Sequence, residues 1–491
     1  MTIPYVELHC HSGYSFLDGA SHPEELVLRA VELGYPALAL TDHNGLYGSM
    51  EFARAAREAG IQPITGAEVT LRECFPGVEE PEEGHHVTLL AEDPTGYANL
   101  CRLLTEAHMG SERTDPRLPL DSLLELPEGL ILLTGCRRSP VAAALRSSVA
   151  EAEALTKRLV EAFGPGSVFV ELQDNAIKGD SARNKALARL AGRLGLGVVA
   201  TGDVHYHRPE RHRLQDVLVS IKHRTTLDGS HGARRANGLF HLAAPWEVRH
   251  RFQSRPEALT NTLLIAERCA TFDLTEDLGY EFPDFEGSER GGALETLAAI
   301  CLARIAELYE PGSPEERDAE ERLHTELCLV DLHGLAGFFL VYRDIMDLAA
   351  EVGRDVRGAS PRARSGLPPG RGRGSSVSSI ICYLIGLSHI DPVKNDLFLG
   401  RFLNEALRTV PDIDLDFPRD IREELILRVY ERYGHEHTGL VCTFPTYRLK
   451  SAVREIGKAL ELPLGELEKL SRLAEHRSAS GLAEEIAALP E

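Results

Sequence analysis

In YVELHCHS, His9 and His11 lie two residues apart at the end of an apolar, β-prone run, so they project to one side of an extended segment. Asp18 follows seven positions after His11. Imidazole and carboxylate in this pattern suit zinc, manganese or iron, and a strand end can hold such ligands while leaving coordination sites open to water. The same signature recurs along the first half of the chain. ALALTDH ends in Asp42 and His43, PITGAEV carries Glu68, HVTLLA opens with His86, LILLTGC ends in Cys136, and GVVATGDVH contains Asp203 and His205. His9, His11, Asp18, His43, Glu68, His86, Cys136, Asp203 and His205 make nine candidate ligands, enough for two or three divalent ions where a single zinc needs three or four. Any one of them has an ordinary reading as a turn residue, a solvated strand end or a small buried side chain. Their common placement at strand ends makes a joint accident improbable. Asp42 reads as a partner that orients an imidazole rather than as a ligand. His85 and His207 are neighbours that rank below His86 and His205, because His85 precedes its strand and His207 runs into a loop at Pro209.

A second constellation lies further on. Arg373, Gly374, Ser375 and Ser376 precede the apolar SIICYLIGL, and a Gly-Ser turn entering a helix offers backbone N–H groups and a hydroxyl to a phosphate, with arginine as counter-charge. After it comes VPDIDLDF, in which Asp412, Asp414 and Asp416 alternate with Ile413 and Leu415. On a strand the three carboxylates share one face and repel one another unless cations neutralise them. Carboxylates at that spacing can bridge a pair of Mg²⁺ ions, as phosphoryl and nucleotidyl transfer require.

The elements that must position these groups are legible as a pattern. Up to about Leu274, short apolar runs alternate with amphipathic helical segments, which reads as repeated β/α units. In a closed β/α barrel, groups that follow strand C-termini converge on one rim. Ser21 with Glu24 predicts a capping box for the first helix, Pro23 its first turn, and Gly34 its end. Helices are predicted over about 49–59, 95–107 and 181–194. PDFEGSERGG is a polar, Gly-rich boundary, and residues 292–349 read as helical. The segment from Val352 to Ser379 holds six arginines with Asp355 as its only acid, and Ala359 to Pro369 within it reads as a Pro/Gly/Arg linker.

Composition narrows the function classes. At 491 residues the chain can bury two or three cores, and a net charge of −22 excludes a global positive field that would draw it onto nucleic acid or anionic membrane. Any contact with nucleic acid must be local. Nine cysteines without a CxxC pair and without a signal-like start predict free thiols in a reducing cytoplasm. The longest apolar stretch, Ile380 to Leu387, is too short to span a bilayer, so no membrane partner is expected.

HCHS, LTDH, TGAE, HVTLLAEDPTGYANL, LTGC and TGDVHY resemble the polymerase-and-histidinol-phosphatase (PHP) domain that opens bacterial C-family DNA polymerases. By that resemblance the nine positions match the nine metal-binding positions of the domain, none substituted. The resemblance implies a seven-stranded β/α barrel holding up to three metals and, where intact, hydrolysing phosphoesters as a 3′-5′ exonuclease, a pyrophosphatase or a phosphomonoesterase. GRGSSVSS, IDPVKNDLFLGRFLNE and PDIDLDF resemble the palm of DNA polymerase III alpha subunits, a nucleotidyltransferase fold of the polymerase β type. That match implies that Asp412 and Asp414 are two of three metal-binding aspartates, with Mg²⁺ as their ion, and that Gly374 and Ser375 line the triphosphate with Arg373 beside it. VYERYGHEHTGLVCTFPTYRLKSAVREIGKALELP is similar to the start of the family's thumb, and ASHPEELVLRAVELGY is closer to the error-prone branch, which implies translesion synthesis and DNA repair.

The expected architecture is therefore α/β. A PHP-type (β/α)7 barrel over residues 1–280 is followed by an incomplete α+β palm over 281–440 and a helical thumb start over 441–491. Primer–template DNA, deoxynucleoside triphosphates and other polymerase subunits are the implied partners. The third palm aspartate is expected beyond residue 491, and the chain by itself is expected not to polymerise DNA. Two other readings remain open: a free-standing metal-dependent phosphoesterase, and a non-catalytic scaffold.

Overall fold

ALAL, LILL, VFVELQ and GVVAT are too short and too apolar for surface helices, and each becomes a strand buried along nearly its whole length. The computed structural model describes residues 4–73, 84–278, 292–358, 369–407 and 411–473. The predicted boundary at 283–292 lies almost wholly, and the linker up to Pro368, outside them. The chain divides into two compact units, Met1–Gly279 with Thr446–Glu491, and Tyr280–Pro445.

In the first unit, β1 (Ala37–Leu40), β2 (Gln62–Leu71), β3 (His85–Ala91), β4 (Leu130–Leu133), β5 (Val168–Gln173) and β6 (Gly197–Thr201) form one sheet in chain order. The β1–β2, β4–β5 and β5–β6 pairs are parallel, whereas β3 runs antiparallel to both β2 and β4. This departs from a uniform β/α repeat. Its consequence is functional: the start of β3, with His86, lies at the same rim as the ends of β2 and β4.

The N-terminal segment joins the two edges. Ala39 N and Thr41 N donate to Glu7 O and Cys10 O at 2.9 and 2.7 Å, and on the other side His11 N donates to Val204 O at 2.7 Å. Isolated parallel bridges, Glu7 with Leu38 and Cys10 with Val204, hold it in place of a regular ladder. A physical reason is the Glu7 carboxylate, which itself accepts the backbone N–H groups of His9 and Gly202.

Side-chain alternation sorts each strand into two faces. Leu38, Leu40, Val87, Leu89, Leu132 and Val198 feed the large core. The opposite face, with Ile64, Leu90, Ile131, Phe169 and Val199, packs on Ile265 and Ala266 of the helix Pro256–Arg268. On that face four of the strands turn polar toward the other end, at Glu68, Thr88, Glu171 and Thr201, all buried.

The predicted helices occur at Ser49–Glu58, Pro94–Met109 and Asp180–Leu194. The first, Pro23–Glu32, is capped differently from expectation: the Glu25 carboxylate accepts the N–H of His22 at 2.9 Å. Ser21 is not available as a cap, because its hydroxyl lies 2.7 Å from His207 Nδ1 and accepts the His207 N–H. Gly34, at φ +73°, ends the helix as expected.

The second unit is built on helices Ala293–Leu308, Pro314–Leu332 and Ala336–Arg357, whose buried faces enclose Ile380, Ile381, Cys382 and Ile413. A two-residue ladder, β7 (Arg371–Gly372) against β8 (Leu415–Asp416), is antiparallel. Among the described residues the cysteines are free, and no single helix is long and apolar enough to cross a membrane.

Candidate functional site

Glu68 is the hub of the first unit's rim. Its carboxylate lies 2.7 Å from His43 Nδ1, 3.1 Å from His86 Nδ1, 3.3 Å from His9 Nε2 and 3.7 Å from His11 Nε2. Asp203 Oδ1 stands 3.6 Å from His11 Nε2 and 3.8 Å from His9 Nε2. Asp18 Oδ2 stands 3.4 Å from His43 Nε2 and 3.6 Å from His205 Nε2. Cys136 Sγ is 3.8 Å from His86 Nδ1. The nine side chains named from strand ends therefore share one neighbourhood, although they span almost two hundred positions of sequence.

The backbone is shaped to allow this. Asp203 itself, Leu17 beside Asp18 and Asn44 beside His43 all have positive φ, at 51°, 58° and 49°. Non-glycine residues seldom adopt that region, and such conformations gather at functional sites. A Cβ on Gly19 would fall 1.8 Å from Ser12 O, so the loop that returns Asp18 to the rim closes only with glycine there.

Outer groups set which imidazole nitrogen faces inward. Glu171 Oε1 lies 2.7 Å from His9 Nδ1. Ser15 donates its hydroxyl proton to Asp42 at 2.6 Å, so its oxygen is free to accept from His11 Nδ1 at 3.2 Å and from the backbone N–H of His43. Asp42 thus acts as expected, through a serine. His205 Nδ1 donates to the Asp203 carbonyl at 2.8 Å. In all three rings Nε2 is turned inward, and in His205 it accepts from Arg235.

Charge balance favours a cation. Burial alone would raise Glu68, but the imidazoles of His86, His43 and His9 hold its carboxyl well below the usual range. Asp18 is depressed too, against its burial, by Arg235 and His205. Burial opposes protonation of His43, yet Glu68 and Asp18 raise it to about 9. Burial, with His205 and His43 beside it, pushes His11 well down. Burial and the nearby Glu68 and Asp203 push the Cys136 thiol up.

The donor set fits metal ions. His9 Nε2 and His11 Nε2 face each other at 3.1 Å, and Glu68 Oε1 is buried without a hydrogen-bond partner. Three groups, His11–His43–His205, His9–His11–Asp203 and His43–Glu68–His86, each bring their ligand atoms within 4.8 Å of one another. His85, near the Arg138 carbonyl, and His207, on Ser21, stand apart from these groups.

Besides Ser15, two charged members of the site escaped sequence reading. Glu171 sits inside the strand VFVELQ, where an acid in an apolar run was its only signal. Arg235 comes from an irregular stretch and donates to Asp18 and His205; nothing in its sequence context marks it.

In the second unit, Arg373 pairs with Asp416 and its backbone N–H donates to Asp414 O at 2.9 Å, so the turn and the acidic run are neighbours. Asp412 and Asp414 are exposed on either side of buried Ile413. The regular strand covers only Leu415–Asp416, shorter than the alternation suggests, and the three aspartates do not form a ligand group. Gly374, at φ +70°, and Ser375 are exposed at the start of a 3-10 turn. The helix that follows, Ile380–Leu384, does not offer its first N–H groups to a ligand as expected. Buried Glu326 accepts those of Ile380 and Ile381 at 2.8 and 3.2 Å and the Ser379 hydroxyl at 2.7 Å, while Ser379 Oγ accepts from Cys382. Any phosphate contact is thereby confined to the turn, beside a cleft of about 760 Å³ lined by Arg371, Arg373 and His389.

Residues 7–175 match the family described as PHP domain, and residues 295–490 match the bacterial DNA polymerase III alpha NTPase domain. The chain is 38% identical to an error-prone DNA polymerase of Symbiobacterium thermophilum over 99% of this chain and 44% of that protein. It is 37% identical to the error-prone DNA polymerase of Mycobacterium tuberculosis H37Rv over 100% of this chain and 43% of the relative. For the DNA polymerase III subunit alpha of Aquifex aeolicus the figures are 32%, 96% and 41%. The chain thus spans less than half the length of these relatives.

Proposed function

The chain is a relative of the bacterial error-prone DNA polymerases, with a PHP domain ahead of a DNA polymerase III alpha NTPase domain, and on that premise we propose two linked roles. The first unit is a metal-dependent phosphoesterase that removes 3′-terminal nucleotides from DNA. The second is the start of a polymerase palm, which joins nucleotides only together with sequence that the longer relatives carry.

The observation that carries the first role is the meeting of nine candidate ligands around Glu68, Asp18 and Asp203. His9, His11, Asp203, His43, Glu68, His86 and His205 would hold zinc, manganese or iron, with Asp18 and Cys136 beside them. Divalent ions bound there supply Lewis acidity toward a phosphoester and an attacking water. The protein's own contribution is preorganisation. Glu171, Ser15 and the Asp203 carbonyl fix three imidazoles with Nε2 inward, and the depressed carboxyls of Glu68 and Asp18 stay ionised at neutral pH.

For the second role, Asp412 and Asp414 would hold Mg²⁺, and Arg373, Gly374 and Ser375 would contact the triphosphate of an incoming nucleotide opposite a DNA template. Adjacency of the turn and the acidic run, through the Arg373–Asp414 backbone bond, supports this reading. Residues 441–491 are proposed as the beginning of the thumb.

Metal analysis of the purified chain, paired with hydrolysis of 3′-labelled single-stranded DNA, tests the first role. We expect more than one equivalent of bound metal and 3′-end removal that His11→Ala abolishes. A metal-loaded chain that leaves the DNA intact, and unfolds when chelated, would identify a structural centre and refute the phosphoesterase.

A further inference from the structure

We propose that Arg235 is a built-in competitor for metal at the His205 side of the centre, so that cations load this position last and most weakly. The inference rests on the metal-centre reading above, and its basis is which lone pairs the guanidinium occupies.

Arg235 Nη1 donates to Asp18 Oδ1 at 2.6 Å, and Nη2 donates to His205 Nε2. Because His205 Nδ1 donates to the Asp203 carbonyl, Nε2 carries the ring's one remaining lone pair. That lone pair is the one a metal would take. The guanidinium is held in place from below by the Phe240 ring, 5.1 Å from its centroid. Gln215 Nε2 donates to the same Asp18 oxygen at 3.0 Å, which leaves Oδ2 turned toward His43 and His205.

The other two donor groups, His9–His11–Asp203 and His43–Glu68–His86, contain no atom hydrogen-bonded to Arg235. A cation can enter either without moving the arginine. A cation that uses His205 must first break the hydrogen bond that a charged donor makes to Nε2, and it meets a fixed positive charge beside it. The device therefore grades the positions of the centre, making occupancy of one of them responsive to metal concentration while the rest stay filled.

Mn²⁺ binding to the full chain, followed by electron paramagnetic resonance of the free ion, reads this directly. The wild-type protein should show tight sites and one weaker site. In Arg235→Met the weaker site should tighten about tenfold with the tight sites unchanged, and Arg235→Lys should restore part of the weakness. Phe240→Leu, which removes the ring beneath the guanidinium, should shift the same site in the same direction by less. It serves if the methionine variant does not fold. Unchanged affinities in both Met and Leu variants, or a loss of the weak site, would make Arg235 a structural strut and overturn the inference. Absence of any tight Mn²⁺ in the wild-type chain would instead remove the metal-centre reading itself, and this inference with it.

Discussion

Glu171 Oε1 lies 2.7 Å from His9 Nδ1, on the far side of the imidazole from Glu68 and His11. Thr201 and Gln173 donate to the same carboxylate oxygen, so a strand-borne acid with its own supports fixes the ring that faces the centre. Its role is to orient this imidazole and to strengthen it as a base.

Glu171→Gln keeps the shape and removes the charge. Metal affinity, measured by competition with a chelator, should fall by roughly 10- to 100-fold, the usual effect of losing such a partner. Circular dichroism should show the fold intact. Unaltered affinity would mean that Glu171 serves packing alone.

Above pH 7, where the depressed His11 and His205 are already neutral, stability of the metal-free protein should fall as pH rises. Burial lifts Glu7 from 4.5 to about 7, and Glu68 and Asp18 lift His43, against its burial, from 6.5 to about 9. In both cases the native state binds more protons than the unfolded chain, so the stabilisation is complete below the unfolded value and is lost as pH passes the folded one. The window runs from about pH 4.5 to 7 for Glu7 and from about 6.5 to 9 for His43, the latter on the order of 3 kcal/mol. Denaturant midpoints between pH 7 and 9 check it. Saturating Zn²⁺ or Mn²⁺ should flatten the upper part of the curve, because a coordinating imidazole is neutral. A rising midpoint in the metal-free protein across pH 7 to 9 would contradict the assignment.

Glu326→Ala should destabilise the second unit by about 3 kcal/mol, since it strands two buried amide N–H groups at the start of the helix Ile380–Leu384. Glu326→Gln keeps an acceptor and should cost less. Hydrogen exchange resolves the site: the amides of Ile380 and Ile381 should lose protection first in the alanine variant. If their protection survives, another group caps this helix.

Primer extension with Mg²⁺ tests the incomplete palm. The 491-residue chain should add no nucleotides to a primed template, because Asp412 and Asp414 lack a third carboxylate ligand among the described residues. Robust incorporation would show that two aspartates and the turn suffice.

Which side chains meet around Glu68 was readable in advance because their signal is local. His9 and His11 share a face through strand geometry, and Asp42–His43, Cys136 and Asp203–His205 stand where apolar runs stop. Alternation around Ile413 likewise foretold that Asp412 and Asp414 face outward. Tertiary structure decided what depends on strand direction and on distant partners. His86 joins the rim only because β3 runs antiparallel to its neighbours, a choice that no residue in HVTLLA encodes. Ser21 leaves its cap for His207, Glu326 reaches a helix start more than fifty residues later, and Glu171 and Arg235 meet His9 and Asp18 from distant elements. Spacing constrains a side chain's direction within its own element, whereas its partner is chosen by packing between elements, where burial penalises every charge left without one.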